Sequence, residues 1–159
     1  MLAALYRSTK QEDKELATLK RTTQITDRAL DAYARLAQWN LDQKQWSESK
    51  KYALQYLSVQ PMTPLGHELL AKSAEALGEP KHTAAALAAL LEMDPVDPAE
   101  AHFRLAKALG ESGDPVSAKR HVLMALEEAP RYRDAQKFLL KLRAKQAEVP
   151  AVTVQKTRR

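Results

Sequence analysis

The residues best placed to do chemistry are cations at a fixed interval. Gln38, Lys72, Lys107 and Lys141 stand 34, 35 and 34 residues apart, with Arg35 and Arg104 three residues before Gln38 and Lys107. If one structural unit of that length stacks on copies of itself, equivalent residues form a column with neighbours about 10 Å apart. Such a column, with Lys137 beside its end, suits the carboxylates of an acidic peptide or a C-terminal carboxylate. Phe103, next to Arg104, would supply an apolar anchor that charge alone cannot. The same residues have a plainer reading. Glu68 precedes Lys72 by four residues, Glu75 follows it by three and Glu111 follows Lys107 by four. At those spacings ordinary solvated pairs form on a helix, each contributing about 0.2–0.5 kcal/mol.

Catalysis lacks its usual parts. The chain has no glycine-rich phosphate loop, no His-Glu-x-x-His and no Gly-x-Ser-x-Gly. Without cysteine there is no disulfide, thiolate ligand or cysteine nucleophile. His67 and His102 fall in one column about 10 Å apart, and two imidazoles so placed without a third ligand do not make a zinc site. They are expected to be half-buried against the preceding helix, with His82 and His121 exposed. No catalytic, cofactor-binding or metal-ligating residue is assigned.

The elements that must hold the column repeat with it. Leu2, Leu36, Leu70, Leu105 and Leu139 are spaced by 34, 34, 35 and 34 residues, and the first four precede Ala3, Ala37, Ala71 and Ala106. A fixed period near 34 residues signals one supersecondary unit whose apolar face is buried by the next copy. In residues 99–132, Phe103, Leu105, Ala106 and Leu109 have helical spacing; Gly113-Asp114-Pro115 follows as a stop, cap and restart. A second helix then presents Ala118, Val122, Ala125 and Leu126 before Pro130. Residues 64–98 repeat the plan through Gly78-Glu79-Pro80, with Thr63-Pro64 and Asp97-Pro98 as cap-plus-proline starts. Residues 30–63 do so with Gln43-Lys44-Gln45 as a turn lacking glycine. Trp46 starts the second helix there and Trp39 sits between repeats; packing explains both.

This pattern resembles the tetratricopeptide-repeat family, whose signature places a large residue, Leu-Ala, Leu, a small residue, a large one, Ala and Pro at set intervals. In the last full copy His102, Leu105-Ala106, Leu109, Ala118, Val122, Ala125 and Pro130 stand there. His67 and His102 replace the usual aromatic, and Ser49 and Thr83 replace the usual alanine. The resemblance spans about residues 2–147 and implies an all-α fold, a right-handed α-α superhelix whose first helices line a concave groove for an extended peptide or a helix. It implies repeats at 30–63, 64–98 and 99–132, a partial one at 1–29 and a closing helix at 133–148. In the partial repeat Leu19, Thr22 and Ile25 are expected to face inward; in the closing helix, Tyr132, Ala135, Phe138, Leu139 and Leu142. The clamp that reads heat-shock chaperone tails in this family alternates asparagines with Lys/Arg. Ala34 and Gln38 occupy those neighbourhoods, which weighs against it here.

Charge is unevenly placed. Residues 131–159 carry nine of the 25 Lys/Arg and two of the 20 Asp/Glu, a local charge of +7 against −2 for the rest. Residues 149–159 lack periodicity and are expected to be a disordered basic tail. Binding of nucleic acid or an anionic surface by that tail is a rival function, disfavoured because aromatics are few there and cations also complement a helix C-terminus. No apolar stretch approaches the roughly 18–20 residues of a membrane span. The expected function is a non-catalytic scaffold for a protein or peptide, acidic in the lysine-column reading. The alternative is an accessory array cut from a larger multidomain enzyme or a secretion or assembly protein. The start partway into a helix agrees with a fragment or an eroded repeat, and with dimerisation through that apolar end. Cytoplasmic residence is expected; a periplasmic site, or export within a larger chain, is also compatible with the lack of cysteine.

Overall fold

Helix starts and stops recur at the period of the sequence. Pro64, Pro80, Pro98 and Pro115 each open a helix, where a fixed φ suits the helix and the missing N–H would go unpaired anyway. Asp97 Oδ1 accepts from the Glu100 N–H at 2.9 Å, and Asp114 Oδ1 from the Ser117 N–H at 3.0 Å. Each bond satisfies a backbone donor left open by the first turn. Thr63, expected to cap in the same way, has the extended backbone of a cap but makes no side-chain capping bond; its side chain is buried instead. Between paired helices the chain enters the left-handed region, with φ of 58° at Lys44, 68° at Gly78 and 90° at Gly113. Glycine does this freely, whereas a lysine gives up about 1–2 kcal/mol.

The structure is a computed structural model that describes residues 2–9 and 11–147. Nine helices occur among the described residues: α1 Leu2–Ser8, α2 Glu12–Ile25, α3 Leu30–Asp42, α4 Trp46–Val59, α5 Pro64–Ala76, α6 Pro80–Leu91, α7 Pro98–Glu111, α8 Pro115–Glu128 and α9 Arg133–Ala147. They pack in chain order, and α3 also touches α5. The pairs stack as a right-handed α-α superhelix. The tail expected at 149–159 lies outside the described residues, and no helix among those described is long and apolar enough to cross a membrane.

The core runs along the stack. Ala37, Ala71 and Ala106 are fully buried, as are Leu36, Ala53, Leu87, Ala118 and Val122. Small residues at these places let successive helices approach closely. At Gly66 an added Cβ would lie 2.6 Å from Leu57 Cδ2 and 2.8 Å from Tyr56 Cδ1, so any larger residue there forces those side chains of α4 to shift. Ser49, in place of alanine, is buried as a donor: its Oγ lies 2.9 Å from the Ala37 carbonyl and 2.8 Å from Ser73 Oγ, which itself lies 2.7 Å from the Leu69 carbonyl. Two hydroxyl protons thus serve three contacts. Ile25, expected to face inward, is 76% exposed. It is the last residue of α2, whose buried side chains are Glu15 and Leu19.

Candidate functional site

The inner helices α3, α5 and α7 line a series of depressions. The first, of about 1000 Å³, lies among α1, α2 and α3 and includes Arg35, Gln38 and Leu65 in its walls. The second, of about 360 Å³, runs from Leu65 and Glu68 on α5 to Glu100 and Arg104 on α7. The third, of about 280 Å³, is walled by Glu100, Arg104, Lys107 and the α5–α6 turn. Leu65 walls both of the first two and Glu100 and Arg104 both of the last two, so the depressions lie side by side in a row.

The expected cations are unequal. Arg104 is spent on the fold: its Nε and Nη2 donate to Glu75 at 3.0 and 2.9 Å, and Nη1 donates to Glu68 at 3.0 Å. Its side chain is 13% exposed. Burial works against its charge, but the two carboxylates outweigh that and hold the guanidinium above its usual range. Arg35 is spent likewise, its Nε donating to buried Glu15 at 2.9 Å; that bond is the main cause of its raised pKa. These two arginines are internal ties rather than open ligand grips. Gln38 donates to Asp42 at 2.8 Å. Lys72 pairs with Glu68 at 3.1 Å while remaining half exposed, and Lys137 lies 3.5 Å from Asp134.

Lys107 and Lys141 are the open cations. Both are exposed. The Nζ of Lys107 sits 5.9 Å from the centre of the Phe103 ring, and no ion pair to either lysine occurs among the described residues. Phe103, expected as a ligand anchor, instead packs edge-on to Tyr132 at 4.9 Å and to Phe138 at 6.1 Å. The closing helix takes up its ring, leaving Lys107 over one face. The Tyr132 hydroxyl donates to Glu100, and burial together with that carboxylate raises its pKa.

The histidines are half-buried or exposed as expected with one exception. His67 donates from Nε2 to the Pro61 carbonyl at 2.9 Å, and His82 is exposed beside Glu79. His121, expected to be exposed, is half-buried and stacks on His102 with ring centres 5.3 Å apart and Nδ1 atoms 3.1 Å apart. One Nδ1–H must donate to the other ring's bare nitrogen, which requires at least one ring to be neutral. Burial lowers both pKa values, and the neighbouring ring and Arg120 lower that of His121 further. The signal was present in the 19-residue offset: Tyr33 and Tyr52 hold the same two places in the first full repeat, and both are buried. No group of three or more His, Cys, Asp or Glu suited to a metal occurs among the described residues.

Solved structures share this architecture. YrrB, a TPR protein with an unusual peptide-binding site, aligns over 93% of this chain and 76% of its own at 19% identity and a TM-score of 0.79. MamA aligns over 92% of this chain and 85% of its own, at 11% identity and a TM-score of 0.76. The Yersinia enterocolitica type III secretion chaperone SycD, in complex with a peptide of the translocator YopD, aligns over 77% of this chain and 98% of its own, at 15% identity and a TM-score of 0.64. No family model and no curated protein matches the sequence. At identities this low the likeness carries the fold.

Proposed function

This chain has the tetratricopeptide-repeat fold, and from that premise we propose that it is a non-catalytic scaffold holding an extended peptide or partner helix along its concave face. The observation that carries the reading is the row of adjoining depressions that share Leu65, Glu100 and Arg104 as walls. Two neighbours bearing peptides, or a peptide-binding site, on the same fold support it. In this reading an acidic stretch of the ligand meets Lys107 and Lys141, with Lys72 exchanging Glu68 for a ligand carboxylate. Exposed pairs of this kind contribute about 0.2–1 kcal/mol each, so the lysines select a ligand more than they hold it.

The test uses a synthetic ten-residue peptide with glutamate at every third position, titrated against the full chain by fluorescence anisotropy. Combined Lys72→Glu and Lys107→Glu, which replaces two attractions by two repulsions, is expected to weaken binding at least about tenfold, and deletion of residues 149–159 to leave it unchanged. The reverse result, with a steep salt dependence, would assign binding to the basic tail and overturn the groove.

A further inference from the structure

We infer that the depression between α5 and α7 is an anchoring pocket for a branched aliphatic side chain that has a lysine or arginine beside it in the bound segment. This rests on the groove being the ligand site and specifies what the middle of the groove selects. Its volume of about 360 Å³ lies at the small end of ligand pockets, about 300–1,000 Å³. Leu65 is 47% exposed and Val96 wholly so, while Leu90 and Ala101 beneath them are buried. Covering Leu65 and Val96 with an apolar side chain removes from water the largest apolar surface the groove presents at this point, which is the main source of affinity available there.

The charge at the rim decides the neighbour. Arg104 lines the pocket, but its guanidinium is matched by Glu75 and Glu68, and Glu68 is matched again by Lys72. Asp97 accepts from a backbone N–H of its own helix, and Glu100 from the Tyr132 hydroxyl. Both donors are neutral, so neither carboxylate is neutralised, and no cation pairs with either among the described residues. Arg131 walls an adjoining depression with both carboxylates but pairs with neither. Two carboxylates without an ion-pair partner among the described residues, beside an apolar slot, attract a cation flanking the anchor and repel an acid. The groove is thus negative at its middle, and Lys107 on the far side of Arg104 is where an acidic part of the same ligand would be met.

The experiment compares three acetylated nine-residue peptides by anisotropy and by amide shifts of the isotope-labelled full chain: Gly-Ser-Gly-Lys-Leu-Arg-Gly-Ser-Gly, its counterpart with glutamates for Lys and Arg, and its counterpart with serine for leucine. The first is expected to bind at least about fivefold more tightly than the glutamate peptide, a margin two rim charges of modest strength supply. It is expected to bind at least about fivefold more tightly than the serine peptide as well, a margin that burial of the leucine side chain supplies. Leu65→Ser with Val96→Ser should erase the advantage of leucine over serine. Asp97→Asn with Glu100→Gln keeps the cap and the tyrosine bond and should erase the advantage of Lys/Arg over glutamate. If all three peptides shift the α3, α5 and α7 amides with equal affinity, the anchoring pocket is overturned while the groove stands. If none shifts those amides, including the glutamate-spaced peptide above, both readings fall.

Discussion

The junction between the first two full repeats and the junction that closes the array are packed with different chemistry. The first is made of small and polar groups: Gly66 lets α5 lie against Tyr56 and Leu57, and Ser49 and Ser73 link two backbone carbonyls through buried hydroxyls. The last is aromatic, with Phe103 set edge-on between Tyr132 and Phe138 and two histidines stacked nearby. One junction therefore depends on backbone approach and directed bonds, the other on contact between rings. A single packing plan tolerates both because it prescribes the spacing of helices rather than the groups between them.

The difference is sharpest at Phe103. Phe103→Ala removes a half-buried ring from the closing cluster and is expected to cost about 2–4 kcal/mol, below the roughly 3–5 of a fully buried phenylalanine. Urea unfolding should show the loss, and α9 amides should exchange faster while those of α4 are unchanged. At the other junction Gly66→Ala gains helix propensity of about 1 kcal/mol but meets the Tyr56 and Leu57 side chains, an overpacking cost of about 1–3 kcal/mol. The expected net is a loss of about 1 kcal/mol. Gly110→Ala meets only the half-buried Phe138 ring tip at 3.2 Å and should be neutral or slightly stabilising. Equal melting shifts for the two alanines would refute the claim that the junctions differ in tightness.

Ser49→Ala withdraws one of the two protons in the hydroxyl link and is expected to cost about 1 kcal/mol, with the exchange of α4 and α5 amides rising together. The smallest effect depends on pH. The His102 and His121 pKa values are held below the ordinary 6.5 in the folded chain, so the unfolded chain binds more protons as pH falls through that range. Stability from the neutral pair is complete above about pH 7 and declines towards pH 5. Thermal melts over that interval should record the decline and His121→Gln should flatten it; a wild-type melt that is flat from pH 7 to 5 would contradict the shared-proton description.

How much of this could be seen in the sequence varies with the range of the interaction. The Leu-Ala period announced Ala37, Ala71 and Ala106, all fully buried, because core spacing is a local property repeated. The turn at Lys44 was obscure since its positive φ belongs to the backbone, and glycine, its usual marker, is absent. The recurrence of the lysines at the repeat period was legible, but which cations remain open was not. Glu75 was placed beside Lys72 by helical spacing, yet it pairs with Arg104, 29 residues away; Glu15 reaches Arg35 across 20. Such pairs depend on which inner helices touch and at what offset, which a one-dimensional period does not encode. The His102–His121 contact was missed for the same reason, although the tyrosines of the first full repeat marked its place.

The Arg104 tie has a consequence for any chain lying in the groove. By joining α7 to two carboxylates on α5 it ties one inner helix to the next, and inner helices at the spacing of packed helices would stand about 10 Å apart. An extended peptide advances about 3.3 Å per residue. At that step a peptide in the proposed groove would pass one repeat every three residues, and the groove would impose a reading frame. Inserting one residue between two anchors of a ligand puts everything downstream out of phase, while inserting three restores it one repeat further along.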